Sequence, residues 1–117
     1  MARTPDTPAV ARRREREKRT ISQMVALYCA GNHGRANRTE ISHSGERICP
    51  DCKAIDEYCV RRTERCRSMA HKTSCEACGN HCYAPAERER IRAIMRYAGP
   101  RMMLHHPVAA VRHLLGK

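Results

Sequence analysis

Cys49-Pro50-Asp51-Cys52-Lys53-Ala54-Ile55-Asp56-Glu57-Tyr58-Cys59-Val60-Arg61-Arg62-Thr63-Glu64-Arg65-Cys66 is the stretch whose reading decides the fold. A pair of cysteines opens it, a third stands mid-way and a fourth closes it. Pro50 suits a first helical position, and no breaker follows. Cys52, Ile55, Cys59 and Cys66 are spaced by 3, 4 and 7, so one helical face carries all four, with Arg62 as its polar interruption. If the helix is unbroken, a rise of ~1.5 Å per residue separates Cys52 from Cys66 by about 21 Å and leaves Cys59 about 10 Å from each. No two of the three can share an ion. Both ends of the helix therefore need ligands from elsewhere, and Cys59 reads as a small buried apolar residue.

Upstream, Cys29 and His33 stand four apart, on one face of a helix or, if Gly31 unwinds the turn, as a loop pair. With Cys49 and Cys52 they form a site of three thiolates and one imidazole. Downstream, Cys75, Cys78 and Cys82 join Cys66 in an all-thiolate site. A two-residue spacer lets both sulfurs of a pair reach one ion through a tight turn whose amides donate to the thiolates. The mixed site suits zinc, and the all-thiolate site suits zinc or an iron–sulfur cluster. Groups of four leave no open coordination position, which favours structural or electron-transfer roles over hydrolysis by a metal-bound water. A zinc-ribbon-like grouping of Cys49, Cys52, Cys75 and Cys78 is the competing scheme. It would leave Cys29, His33, Cys66 and Cys82 for a second ion, and His81 competes with Cys82 for one position.

Composition explains why metal is needed. In 117 residues there is no Trp or Phe and only four Tyr, so an apolar core is thin, while there are eight cysteines. Met1 to Lys18 holds no apolar stretch resembling a secretory signal, and no run approaches the ~20 residues that cross a bilayer. The expectation is a cytoplasmic protein without a membrane segment, in whose reducing surroundings paired cysteines are metal ligands before they are disulfides.

The remaining chain reads as helical. Thr7-Pro8 starts a long first helix whose second half carries Ile21, Met24, Val25 and Tyr28 as an apolar stripe. Its first half, Ala11 to Arg19, has no such stripe, and Thr20 with Gln23 offers an alternative start. Residues 1–19 are thus a basic arm or helix extension, and 20–117 a single Cys-rich metal-binding domain. His33 to Arg47 reads as a loop. A third helix opens at Pro85 with Glu87 and Glu89 near its positive end and Ile91, Ile94, Met95 and Ala98 as its buried stripe. Gly99-Pro100 is expected to stop it. A last helix after His106-Pro107 presents Val108, Val111, Leu114 and Leu115. The fold class is mostly α, a small metal-stabilised helical domain with Cys-rich knuckles between helices.

The charge is strongly basic, 23 Lys+Arg against 12 Asp+Glu, a formal +11. Seven thiolates with two dications would lower it only to about +8. Arg88, Arg92 and Arg96 lie at i, i+4 and i+8 of the third helix, with Arg101 beyond. With the segment Arg12 to Arg19 they offer cationic surfaces for phosphate, nucleic acid or an acidic protein, although aromatics that stack bases are missing. A solvated or acid-paired helix face is the plain alternative. No paired carboxylates, Ser/His/Asp set or glycine-rich phosphate loop stands out, so enzymatic activity is the minority reading. A thiol or redox enzyme would need Cys29 or Cys59, beside His33, to hold a lowered pKa. His105-His106-Pro107 reads most simply as a turn leading into the last helix, with His106 capping a helix end or sitting over the all-thiolate site as the lesser alternative.

The run Cys75-x2-Cys78-x2-His81-Cys82-Tyr83-x-Pro85, then Arg88-x-Arg90-Ile91-Arg92-x2-Met95-Arg96-x2-Gly99-Pro100-Arg101-Met102 and His106-Pro107, resembles the YgbA family, the bacterial "nitrous oxide-stimulated promoter" family. The resemblance extends from about Ile21 to Leu115 and takes in Tyr28-Cys29, His33, Cys49 and Cys52. It implies a small cytoplasmic bacterial protein whose gene is switched on during nitric oxide stress, and it supplies no enzymatic activity. Family members tend to carry Ala in place of Cys59, in keeping with a non-ligand role. They also tend to carry Pro-Phe where this chain has Arg67-Ser68. The expected function is that of a Cys-rich metal-binding protein of the nitrosative stress response. A zinc-stabilised basic adaptor is the alternative.

Overall fold

The computed structural model describes residues 5–66 and 84–115. Its elements run α1 (Pro8–Asn32), a 3-10 turn (Arg35–Asn37), β1 (Glu40–Ile41), β2 (Arg47–Ile48), α2 (Pro50–Glu64), α3 (Pro85–His105) and α4 (Pro107–Leu114). The mostly helical expectation holds. Helix α1 is the spine, packed against both α2 and α3. Its start is set locally, since the Thr7 hydroxyl accepts from the Val10 amide at 3.2 Å and Pro8 occupies the first turn.

The buried stripe of α1 is longer than its apolar residues. Ile21, Met24, Val25 and Cys29 are buried, but so are Lys18 and Arg14, one and two turns earlier on the same face. The first half of α1 therefore docks as well, through cations. The Arg14 guanidinium donates to the carbonyls of Thr63, Glu64 and Cys66 at 2.7, 3.1 and 2.9 Å. The first two belong to the last turn of α2, whose carbonyls have no intrahelical donors, and the third follows just beyond it. Its other edge meets the Asp6 carboxylate in a fork, with Nε to Oδ2 at 2.8 Å and Nη2 to Oδ1 at 2.9 Å. Asp6 holds the guanidinium pKa above its ordinary value despite burial. Lys18 adds ion pairs to Glu15 at 2.9 Å and to Glu64.

Four further local expectations are corrected. Helix α2 ends at Glu64, so Cys66 lies beyond it, its amide donating to the Thr63 carbonyl at 3.2 Å. The segment before α2 is not all loop. Glu40 pairs with Ile48 and Ile41 with Arg47 in a short antiparallel hairpin turned by Gly45 at φ +88°. The hairpin is bound to both helices, because Ser22 of α1 accepts from the Ser44 amide and Asp56 of α2 from the His43 amide, each at 3.0 Å.

Helix α3 also continues through Gly99-Pro100 to His105. An interior proline costs ~3 kcal/mol, largely through a lost hydrogen bond. Arg96 and Pro100 are both exposed, so the carbonyl that loses its donor lies on the solvent side. Continuing the helix buries Met102 one turn after Ala98, a gain of about 1.5–3 kcal/mol that offsets much of the cost. Beyond it α4 docks through Ala110, while Val108, Val111 and Leu115 are exposed, contrary to the expected apolar face. The core gathers Ile21, Val25, Ile48, Ile55, Cys59, Ile91 and Ile94 among others, and Cys59 is wholly buried in it. No helix among the described residues is long and apolar enough to cross a membrane.

Candidate metal centre

The end of α1 and the start of α2 are brought together by their antiparallel packing. Cys29 is three residues from the last residue of α1, and His33 is its C-cap, whose amide donates to the Cys29 carbonyl at 2.9 Å. Cys49 is the N-cap of α2: its sulfur accepts from the Cys52 amide at 3.4 Å, with Pro50 in the first turn between them. Thus Cys-Pro-x-Cys works as a helix start, and both sulfurs lie at the positive end of the α2 dipole. The Cys49 amide donates in turn to Cys29 Sγ at 3.3 Å.

His33 Nδ1 stands 3.4 Å from Cys49 Sγ and 3.3 Å from Cys52 Sγ. All four ligand atoms lie within 4.8 Å of one another. With Zn–S at ~2.3 Å and Zn–N at ~2.0–2.1 Å, a tetrahedral zinc site has S···N edges of about 3.5 Å, so the group is drawn nearly to the size of an ion. The three cysteines are buried and His33 half-buried. Burial pushes the Cys29 and Cys52 thiols up. Burial works the same way on Cys49, but donation from the Cys52 amide and from the neighbouring thiols brings it below its ordinary value. Three thiols whose sulfurs compete for one negative charge are what a dication relieves, since it binds all of them as thiolates.

Aromatic rings close the site. Tyr28 meets His33 and Tyr97 edge to face, each at 5.8 Å between centroids. Tyr97 comes from α3, and its hydroxyl rests on Gly31, where a Cβ would collide with it. The Arg101 guanidinium stacks on the other side of Tyr97 at 3.8 Å and donates to the Tyr97 carbonyl at 2.8 Å. A side chain between the two upstream ligands would therefore have to displace the Tyr97 ring of α3.

The four residues that meet are those of the mixed thiolate–imidazole scheme. Cys66 is not among them; it is buried beyond the end of α2, with its carbonyl held by Arg14. Its expected partners Cys75, Cys78 and Cys82, and His81, lie outside the described residues. On α3, Arg92, Arg96 and Arg101 are exposed and Arg88 is half-buried. Arg92 faces Glu89 at 3.4 Å in a solvent-exposed pair. His106 stands 3.7 Å from Glu46 of the hairpin. Sequence reasoning missed Arg14, Lys18 and Tyr97. The first two become legible once cations are allowed into the periodic stripe that Ile21, Val25 and Cys29 continue.

The family model described as "Nitrous oxide-stimulated promoter" matches residues 12–117. The Escherichia coli (strain K12) protein YgbA, itself described as uncharacterized, is 38% identical over 104 residues, covering 89% of this chain and 80% of the relative. No solved structure matches the chain.

Proposed function

The chain belongs to the nitrous oxide-stimulated promoter family, and from that premise we propose that it is a small cytoplasmic metal protein of the bacterial response to nitric oxide. One observation carries this reading: Cys29, His33, Cys49 and Cys52 meet with their ligand atoms within 4.8 Å. Zinc is the ion that three thiolates and one imidazole suit, and four protein donors give it a closed, structural site. Cys66, with Cys75, Cys78 and Cys82, forms a second site that takes zinc or an iron–sulfur cluster. Metal-bound thiolates are the groups in this chain most reactive toward nitric oxide, so the stress chemistry registers there.

Metal content and the visible spectrum of protein purified without oxygen, before and after nitric oxide, test the reading. Zinc at the mixed site with a visible band that nitric oxide bleaches is the expected result. Two zincs with no visible band, unchanged by nitric oxide, would leave a structural role alone. Metal-free protein with paired disulfides would overturn the reading altogether.

The exposure of Arg92, Arg96 and Arg101 supports a second reading, a zinc-stabilised basic adaptor for nucleic acid or an acidic protein. It calls for affinity that falls steeply with salt and survives nitric oxide.

A further inference from the structure

Large apolar side chains that face water are not scattered over this protein. Among the described residues there are six, and five of them, Met103, Leu104, Val108, Val111 and Leu115, fall between positions 103 and 115. They are between 45% and 82% exposed. Single exposed apolar residues are ordinary on a protein surface, whereas a run of them in one place marks a contact surface. Val108, Val111 and Leu115 stand at i, i+3 and i+7. The Leu115 amide donates to the Val111 carbonyl at 3.0 Å, so the helical turn carries on to Leu115 just beyond the end of α4. At about 100° per residue the three lie on the side of α4 turned away from Ala110, the residue seated in the core. Leu104 precedes this ridge across the break at His106.

The charge around the ridge is of one sign. From Arg90 to Lys117 the chain has six Arg and Lys and no Asp or Glu. Exposed Arg112 follows Val111 directly, and on that flank a cleft of about 410 Å³ opens between α4 and α1. Val108 and Arg112 line it together with Arg16 and Arg19, against the single carboxylate of Glu17. An apolar ridge edged by guanidinium groups is complementary to apolar side chains edged by carboxylates. A second copy of this chain would bring the same cations to the contact. Nucleic acid would answer the arginines but leave the aliphatic ridge in water. A lipid surface is usually met through Trp, Tyr or Phe, and none occurs after Tyr97. We infer that α4 docks an acidic amphipathic helix of another protein, which lays its apolar stripe on Val108, Val111 and Leu115 and sets its carboxylates against Arg112, Arg16 and Arg19. The cleft beside Val108 takes one side chain of that helix. This surface shares no residue with the candidate metal centre or with the arginines of α3, and it rests on neither reading given above.

Fluorescence anisotropy with the full-length protein, isolated with its metal, and a labelled synthetic peptide tests this. The peptide is helical, with leucines at i, i+3, i+4 and i+7 and glutamates on both flanks. A second peptide has the same composition with the stripe scrambled, and a third has lysine in place of glutamate. The expected result is one-to-one binding of the first, at least about tenfold tighter than of either control. Val111→Ser combined with Leu115→Ser, at exposed positions, should weaken it about ten- to hundredfold, with circular dichroism and metal content unchanged. Arg112→Gln should weaken it about three- to tenfold and flatten its dependence on salt. Ile41→Ser and Arg92→Gln should alter nothing. No binding of the first peptide, equal binding of the scrambled one, binding unmoved by the double substitution, or a loss with Arg92→Gln as large as with Arg112→Gln would each overturn the inference. So would a dimer in sedimentation that the double substitution dissociates, or phosphatidylglycerol vesicles that bind the wild type and not the double variant.

Discussion

At its N-terminal end α2 meets the close of α1 through Cys29, His33, Cys49 and Cys52; at its C-terminal end it meets the opening of α1 through Arg14 and Lys18. The first junction is made of soft donors that repel one another as they ionise, in a cluster that could hold a metal ion. The second supplies its own cation. Arg14 satisfies three carbonyls and a carboxylate at once, so nothing need be added. A helix of 15 residues thus has at one end thiols and an imidazole grouped closely enough to hold a metal ion, and at the other a guanidinium whose hydrogen bonds involve neither metal nor thiol.

The largest effect should come from breaking the first junction. Cys52→Ser, or a strong chelator, should remove the metal and with it much of the folding free energy, since structural zinc sites contribute ~10–16 kcal/mol in apparent terms. Circular dichroism with temperature should show Tm falling by more than about 20 °C. Acid should act at this junction in the same direction. The ion binds thiolates, and Cys29 and Cys52 hold their protons above the ordinary thiol range without it, so metal uptake releases protons and affinity rises with pH. Competition titrations at several pH values check the slope, and a flat profile would contradict it.

Breaking the second junction should cost less and leave the metal in place. Arg14→Ala strands Asp6 and the end of α2, an expected loss of about 3–5 kcal/mol in urea denaturation with unchanged metal content. Arg14→Lys should recover little, because an ammonium cannot fork to a carboxylate and reach three carbonyls together. Lys18→Ala should cost about 1 kcal/mol and less at high salt, since its partners Glu15 and Glu64 are largely in water. Thr7→Val, which removes the N-cap beside Asp6, should cost about 1 kcal/mol as well.

The same contrast explains what was legible in the sequence. The thiolate junction announces itself because its ligands come as local pairs, Cys29 with His33 and Cys49 with Cys52, whose spacing is a requirement of the ion. The separation of Cys52 from Cys66 favoured the grouping of those pairs over the competing zinc-ribbon-like scheme, and the structure brings the four together. The guanidinium junction left no such mark. Its partners are backbone carbonyls 49 to 52 residues away, and a carbonyl has no letter of its own. Pro100 misled for a related reason: the local rule against an interior proline is outweighed by the burial of Met102 in the core, which the local sequence does not show. Val108 and Val111 read as a docking face from periodicity, yet the helix seats itself on Ala110, whose small side chain permits the closer approach.

The contact between Tyr97 and Gly31 also constrains how this protein can change. Any side chain at position 31 must displace the Tyr97 ring, which Tyr28 and Arg101 hold from two sides. Shortening position 97 first removes that obstacle, whereas enlarging position 31 first disturbs the turn between two ligands. The two positions are therefore coupled: alanine at 31 requires the Tyr97 ring to give way, so it should cost less in a chain whose residue 97 is already smaller.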